Sequence, residues 1–349
     1  MAITIDSFPG RTIHKNGKEY LYFGGTSYLG LQLDKEFQDL YIKNLKRYGT
    51  NYGASRKSNI QLSIFEKAEA HLANMVGSQA CITLSSGYLA AQLVVQTLVQ
   101  QGHPTIAVPN AHIALSTDNV INTSSPEEFH AKLNEMLNLG KDAVPAILFD
   151  TIDFSKGQYP DFAMLRQLPL DKVILVGDDS HGIGLVGANG NGCYSTLKEL
   201  QPAQLIVCCS LGKGLGIQAG AIFGTKSTVD VLRDTAFFGG ASPAAPAFLS
   251  TLLYAGDIYK ERRARLFEHL DYLESLPDIL QLFTHINGHP TFEFRNLELA
   301  NYLEGKGFIF TNFNYPDHKG PIVSRIVLSA YHKKQDVQDL VDCLNNFIL

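Results

Sequence analysis

An α/β fold, with a mostly parallel, doubly wound sheet in a large domain and a smaller α+β domain at the C-terminal end, is what this sequence predicts. Two patterns predict it. Short apolar, β-prone runs alternate with helical or loop segments through the first two thirds of the chain, as in a sheet covered on both faces. After about residue 235 the alternation gives way to a long helical stretch and a mixed tail. The 349 residues, 45% hydrophobic and 18% charged, suffice for one large core and a second, smaller one. The expected division is an N-terminal segment 1–45, a large domain 46–235, and a linking helix with a small domain over 236–349.

Each element follows from local pattern. Residues 35–48, KEFQDLYIKNLKRY, carry apolar side chains at amphipathic-helix spacing. NIQLSIFEKAEAHLANMVG (59–77) repeats that spacing and stops at Gly77, a helix C-terminal glycine. The β-prone ACITL (80–84) leads through Ser-Ser-Gly into a helix. TIAVP (105–109), AILFD (146–150), KVILVGDD (172–179), LIVCCS (205–210) and AGAIFG (219–224) read as further strands. SPEEFHAKLNEMLNLG (125–140) reads as a helix between two of them. Residues 242–276 read as one long helix, kinked early by its prolines. Then come THINGHPTFEFR, a helix around LELANYLEGKG, the runs GFIFTNF and SRIVLSAYH, and a last helix, KQDVQDLVDCLNNFIL.

Composition narrows the function classes. Net charge is −5 and no long Lys/Arg run appears, so a nucleic-acid partner is not expected. No apolar run reaches the ~20 residues that span a bilayer. The five cysteines include no C-x-x-C pair, and their odd count argues against a disulfide framework; Cys208 and Cys209, in the apolar LIVCCS, are expected as buried thiols. MAITIDSFPG is no secretion signal, which leaves a cytoplasmic protein as the expectation.

The stretch DDSHGIGLVGANGNG (178–192) fits the dinucleotide fingerprint through Gly182, Gly184 and Gly187. That fingerprint must follow a strand directly and open a helix. Here four polar residues, Asp178 to His181, intervene, and ANGNGCYST cannot form first helical turns, so a nicotinamide site is rejected. Glycines here let the backbone turn closely beneath a bound group.

Asp178 and His181 close an apolar run, where alone they read as a helix cap or cation partner and a turn residue. Lys213 follows another strand-like run between Gly212 and Gly214. A partly desolvated lysine is an amine nucleophile for carbonyls, and a phosphate-binding lysine is the alternative. Ser85, Ser86 and Gly87 stand at a strand-to-helix turn suited to a phosphate, or to an ordinary cap, and Ser210 could add a donor. A phosphate site, an amine, an acid and an imidazole at strand ends match pyridoxal 5'-phosphate, with its phosphate, aldehyde, ring nitrogen and phenolic oxygen.

YGTNYGASR, SSGYLAAQ, DDSHGIGLVGANGNG, SLGKGLGIQAG and RIVLSAYH stand in an order that resembles the α-oxoamine synthases, of the fold-type I pyridoxal-phosphate group, from about residue 20 to 345. The resemblance implies that Lys213 forms the Schiff base and moves the proton, Asp178 pairs with the ring nitrogen, and His181 with the phenolic oxygen. It implies that His112 stacks on the ring and that Gly87 and Tyr88 offer N–H groups, and Ser210 a hydroxyl, to the phosphate. Ser155 matches a serine near the phenolic oxygen. A homodimer with its active site between subunits, and an amino acid and an acyl-CoA as substrates, are further implications. The chain departs from the family at Thr26, where an Asn is usual, and at Gly239-Gly240, where a Ser-Thr pair is usual. It also has Phe313 or Asn314 where an Arg binds the substrate carboxylate; Arg325 matches a second, structural Arg, and His318 or Lys319 are candidate substitutes. Those departures leave two alternatives, an aminotransferase or lyase on the same cofactor and a scaffold without catalysis. Which amino acid, acyl chain and pathway are involved is not encoded in these motifs.

Overall fold

The computed structural model describes residues 3–15, 17–138, 144–154, 159–314, 320 and 322–348. They fall into two compact units, Asp39–Asp153 with Gln158–Gly256, and Met1–Gln38 with Phe154–Gly157 and Asp257–Leu349. The chain opens with an antiparallel pair, β1 (Thr12–Lys15) and β2 (Lys18–Phe23), in a stretch where the sequence pattern indicated no element.

The larger unit is built on β3 (Ala80–Leu84), β4 (Thr105–Ala107), β5 (Val120–Asn122), β6 (Ala146–Asp150), β7 (Ile174–Asp178), β8 (Gln204–Ser210) and β9 (Gly220–Gly224), in the spatial order β3-β9-β8-β7-β6-β4-β5. Strand β9 runs antiparallel to both neighbours, and the other pairs are parallel. All five residues of β7 and of β9 are buried, which is why their sequences read as unbroken apolar runs rather than alternating ones. The unpredicted strand is β5, whose last two residues are exposed and so leave no apolar run to read. Against the sheet, the helix Gly87–Gln100 buries Ala90, Leu93, Val94 and Leu98 with Ile82, Val176, Ile206 and Ile222. Its neighbour Ser63–Val76 ends, as predicted, at a left-handed Gly77 (φ 79°), whose N–H bonds the Ala73 carbonyl.

The predicted long helix is two, Pro246–Tyr254 and Gly256–Glu274. The break falls at Ala255 and at neither proline; Pro246 occupies a first helical turn, where its missing N–H has no intrahelical acceptor to lose. In the smaller unit β10 (Thr284–His285), β11 (Thr291–Phe294), β12 (Phe308–Asn314) and β13 (Ile322–Val327) join the opening pair in a six-stranded sheet of order β1-β2-β12-β13-β11-β10. His332, just beyond β13, pins this sheet. Its Nδ1 accepts the Ser329 N–H at 3.0 Å, its Nε2 bonds the Tyr22 carbonyl at 2.9 Å, and its ring stacks on Phe23 at 4.0 Å between centroids. Burial lowers its pKa to about 4, so the ring is neutral at physiological pH.

One buried ion pair ties the loop before Ser63 to the large sheet. Arg56 Nη1 and Nη2 reach Glu69 Oε1 and Oε2 at 2.7 and 3.1 Å, and Glu69 Oε1 also accepts the Thr83 N–H and hydroxyl, both at 2.9 Å. The guanidinium lies over the Phe65 ring, 4.0 Å from its centroid. Removing one partner leaves the other charge buried and unpaired, so Glu69→Ala is expected to cost about 3–5 kcal/mol of stability, read by denaturant unfolding. A change under ~1 kcal/mol would show the pair to be solvated.

Candidate active site

The strands β4, β6, β7 and β8 run parallel, so the loops at their carboxyl ends converge on one edge of the sheet, where ligands bind in such folds. Strand β7 ends at Asp178, and β8 ends at Ser210, three residues before Lys213. The Lys213 Nζ lies 2.9 Å from His181 Nε2. Asp178 is buried, and its Oδ1 accepts the Ser180 N–H at 2.9 Å. The Ser180 hydroxyl in turn accepts the Ser210 N–H at 2.8 Å, so the two loops are joined directly.

His112 begins a short helical turn beyond β4, where its Nδ1 accepts the Ala114 N–H at 3.2 Å. Its own N–H donates to Asp150 Oδ2 at 2.8 Å. Burial lowers the His112 pKa; the Lys213 charge works in the same direction and the Asp178 carboxylate against it. Asp178, Lys213 and His112 therefore lie within electrostatic reach of one another, as expected of a single site.

The turn into the helix Gly87–Gln100 takes its shape from glycine. Ser86 caps the helix Gly87–Gln100 by accepting the Leu89 N–H at 3.2 Å, and helix geometry gives the Gly87 and Tyr88 N–H groups no intrahelical acceptor. A Cβ on Gly87 would stand 2.7 Å from the Ser210 Cα, and one on Gly220 would overlap the Ser86 carbonyl. Backbone thus meets backbone at this turn, with the Ser210 hydroxyl beside it accepting the Gly212 N–H at 3.3 Å.

The glycines of DDSHGIGLVGANGNG serve an inner purpose. A Cβ on Gly182 or on Gly192 would overlap the carboxylate of Asp179, which accepts the Thr151 hydroxyl at 2.6 Å and the Cys193 N–H at 2.9 Å. They wrap the loop around a buried acid, and one on Gly214 would strike the Ile183 carbonyl. Sequence reasoning missed Asp150, Thr151 and Asp179. Asp150 carries the signal that marked Asp178, an acid closing an apolar run; the other two are recognisable only once the strands are paired.

Ser155 and the proposed substitutes His318 and Lys319 lie outside the described residues. Phe313 is exposed, and Asn314 Nδ2 donates to the Gly320 carbonyl at 2.7 Å. Arg325 is engaged, with its Nε 3.0 Å from Glu293 Oε2 and its guanidinium 4.4 Å over the Phe154 ring. Gly239 accepts the Ser55 hydroxyl on its carbonyl at 2.6 Å. Among the described residues no group of His, Cys, Asp and Glu could hold a metal ion, and no helix is long and apolar enough to cross a membrane.

The fold is that of the fold-type I pyridoxal-phosphate enzymes. A serine palmitoyltransferase solved with its pyridoxal phosphate matches at a TM-score of 0.79 and 17% identity, over 99% of this chain and 92% of that one. The 8-amino-7-oxononanoate synthase of Francisella tularensis matches at 0.70 and 18%, over 94% and 98%. In sequence the chain is similar to the 8-amino-7-oxononanoate synthase of Aliivibrio fischeri (strain MJ11), 27% identical over 354 aligned residues that span 96% of this chain and 90% of the relative. No family model matches the chain.

Burial, opposed by its hydrogen bonds, raises the Asp179 pKa to about 6. A carboxyl whose folded pKa exceeds its unfolded one binds more protons when folded, so stability falls as pH rises from the unfolded value toward about 6. Asp179→Asn keeps an acceptor for the Cys193 N–H and removes the titration. Unfolding free energies measured from pH 4 to 6.5 are expected to lose a downward contribution of about 3 kcal/mol in the variant; parallel curves for both proteins would refute this.

Proposed function

We propose that this chain is a pyridoxal-phosphate-dependent acyltransferase of the α-oxoamine synthase type, joining an amino acid to the acyl group of an acyl-CoA. The observation that carries the reading is the Lys213 amine 2.9 Å from an imidazole, in one cluster with a buried aspartate and a glycine-lined helix N-terminus. The similarity to 8-amino-7-oxononanoate synthases over nearly the whole chain supports it.

The residues present fit the cofactor. Gly87 and Tyr88, with N–H groups at a helix start, and the Ser210 hydroxyl would hold its phosphate. Asp178 would face the ring nitrogen, His181 the phenolic oxygen, and the half-buried His112 the ring itself. Pyridoxal phosphate, when bound, supplies an aldehyde that ties the amino nitrogen and a ring that takes up electrons released at the α-carbon. Lys213 then removes and returns the α-proton, and His181 at Nε2 orients that amine and exchanges a proton with it. The Asp178 carboxylate, fixed by the Ser180 N–H, keeps a positive charge favourable at the ring nitrogen. The working form is a cytoplasmic homodimer.

A second reading, an aminotransferase or lyase on the same cofactor, draws on one observation: neither Phe313 nor Asn314 can replace a bidentate arginine for the substrate carboxylate. Purified protein given a panel of amino acids and acyl-CoAs is expected to release free CoA. Lys213→Ala should lower that rate by at least about 10²–10⁴-fold and lose the pyridoxyl adduct that borohydride fixes on the wild type. Amino transfer to a keto acid without CoA would favour the second reading. Protein that stays colourless and takes up no pyridoxal phosphate would overturn both.

A further inference from the structure

Asp150 has no part in the roles assigned above, yet it stands inside the cluster. Strands β6 and β7 pair in parallel with Asp150 opposite Asp178, so two carboxyl side chains rise from adjacent strands on the same face and at the same level. Its Oδ2 accepts the main-chain N–H of His112 at 2.8 Å, which fastens the loop beyond β4 to the end of β6. We propose that Asp150 and Asp178 form one carboxyl pair holding a shared proton, with Asp150 as a positioning residue that anchors His112 and governs the charge beside the ring nitrogen. This rests on the pyridoxal-phosphate reading only for its second half.

The physical case is like-charge repulsion between a buried Asp178 and a half-buried Asp150. Two neighbouring carboxylates with restricted access to water cannot both ionise cheaply, so such a pair gives up its last proton later than an isolated carboxyl does. The groups facing Asp150 are Asp178 on β7, Cys208 on β8, Lys213 beyond β8, Asp153 on its own loop, and the His112 N–H. Burial is the largest influence on Asp150, followed by Asp178, and both push its pKa well above the ordinary carboxyl value; the His112 N–H and Lys213 oppose them. With Asp150 protonated, His112 stays tied down through an acceptor that bears no charge.

Two variants separate the claims. Asp150→Asn keeps a carbonyl acceptor for the His112 N–H and abolishes the shared proton, whereas Asp150→Leu removes the acceptor as well. In protein freed of pyridoxal phosphate, the wild type is expected to lose stability as pH rises above the ordinary carboxyl range, and Asp150→Asn to lose that slope. In protein loaded with pyridoxal phosphate, the wild-type absorption should show an inflection with pH that Asp150→Asn lacks. Asp150→Leu should in addition bind pyridoxal phosphate about tenfold more weakly, the worth of one hydrogen bond. Slopes and inflections identical in wild type and Asp150→Asn would overturn the shared proton, and wild-type affinity in Asp150→Leu would overturn the anchor. If the wild type binds no pyridoxal phosphate, the functional reading fails, but the slope in the cofactor-free protein still decides whether the pair exists.

Discussion

Asp150, Asp178 and Cys208 stand abreast because β6, β7 and β8 are parallel, with β7 paired residue for residue to both neighbours up to its last position. The rest of the site depends on that register. Parallel strands end on the same edge, so their loops leave together, and a one-residue slip in β7 would turn Asp178 to the other face of the sheet. The antiparallel β9 brings the chain back along β8, which sets Gly220 opposite Ser210 and against the Ser86 carbonyl. The phosphate-like turn and the amine-bearing loop are therefore one construction, braced by the same two strands.

Rigidity comes from close backbone contact as much as from side chains. Gly87 on Ser210 and Gly214 on Ile183 leave no room for a β-carbon, so the loops lock without depending on rotamers. Beneath them Asp179 joins Thr151, at the end of β6, to Cys193, at the far end of the 179–192 loop. Above them Ser180 joins that loop to Ser210. His181 and Lys213 leave two loops whose neighbours are tied on both sides, which is what holding a reactive amine within hydrogen-bond range of an imidazole requires.

How much of this was legible depended on whether a feature is local in sequence. The large sheet's longer strands were readable because burial on both faces makes them unbroken apolar runs, and Asp178, Ser210 and Lys213 because they close or follow such runs. The β1–β2 pair and β5 were not: their exposed residues break up the pattern. Asp150 carries a local signal, but its meaning arises from lying opposite Asp178, which only strand pairing reveals. Thr151 and Asp179 are likewise 28 positions apart and linked only in space. The glycine fingerprint matched by spacing alone; that Gly182 clears the buried Asp179 carboxylate, Gly184 the Gly214 backbone and Gly187 the Asn191 side chain could not be distinguished from phosphate binding without the third dimension.

Two buried groups, one in each unit, respond oppositely to acid. His332 is held neutral, with a folded pKa of about 4, so its contribution is complete above the unfolded histidine value and is lost as pH falls through about 4. Asp179 is held protonated up to about 6, so its contribution is complete below the ordinary carboxyl value and is lost as pH rises through about 6. Each effect is of the order of 3 kcal/mol, they overlap between about pH 4 and 6, and they carry opposite signs. In that window the two contributions offset each other, because the neutral imidazole of His332 and the protonated carboxyl of Asp179 are favoured by the same cause, burial away from water. Burial and main-chain partners thus favour the neutral form of both groups, and their opposed pH dependences cancel in part.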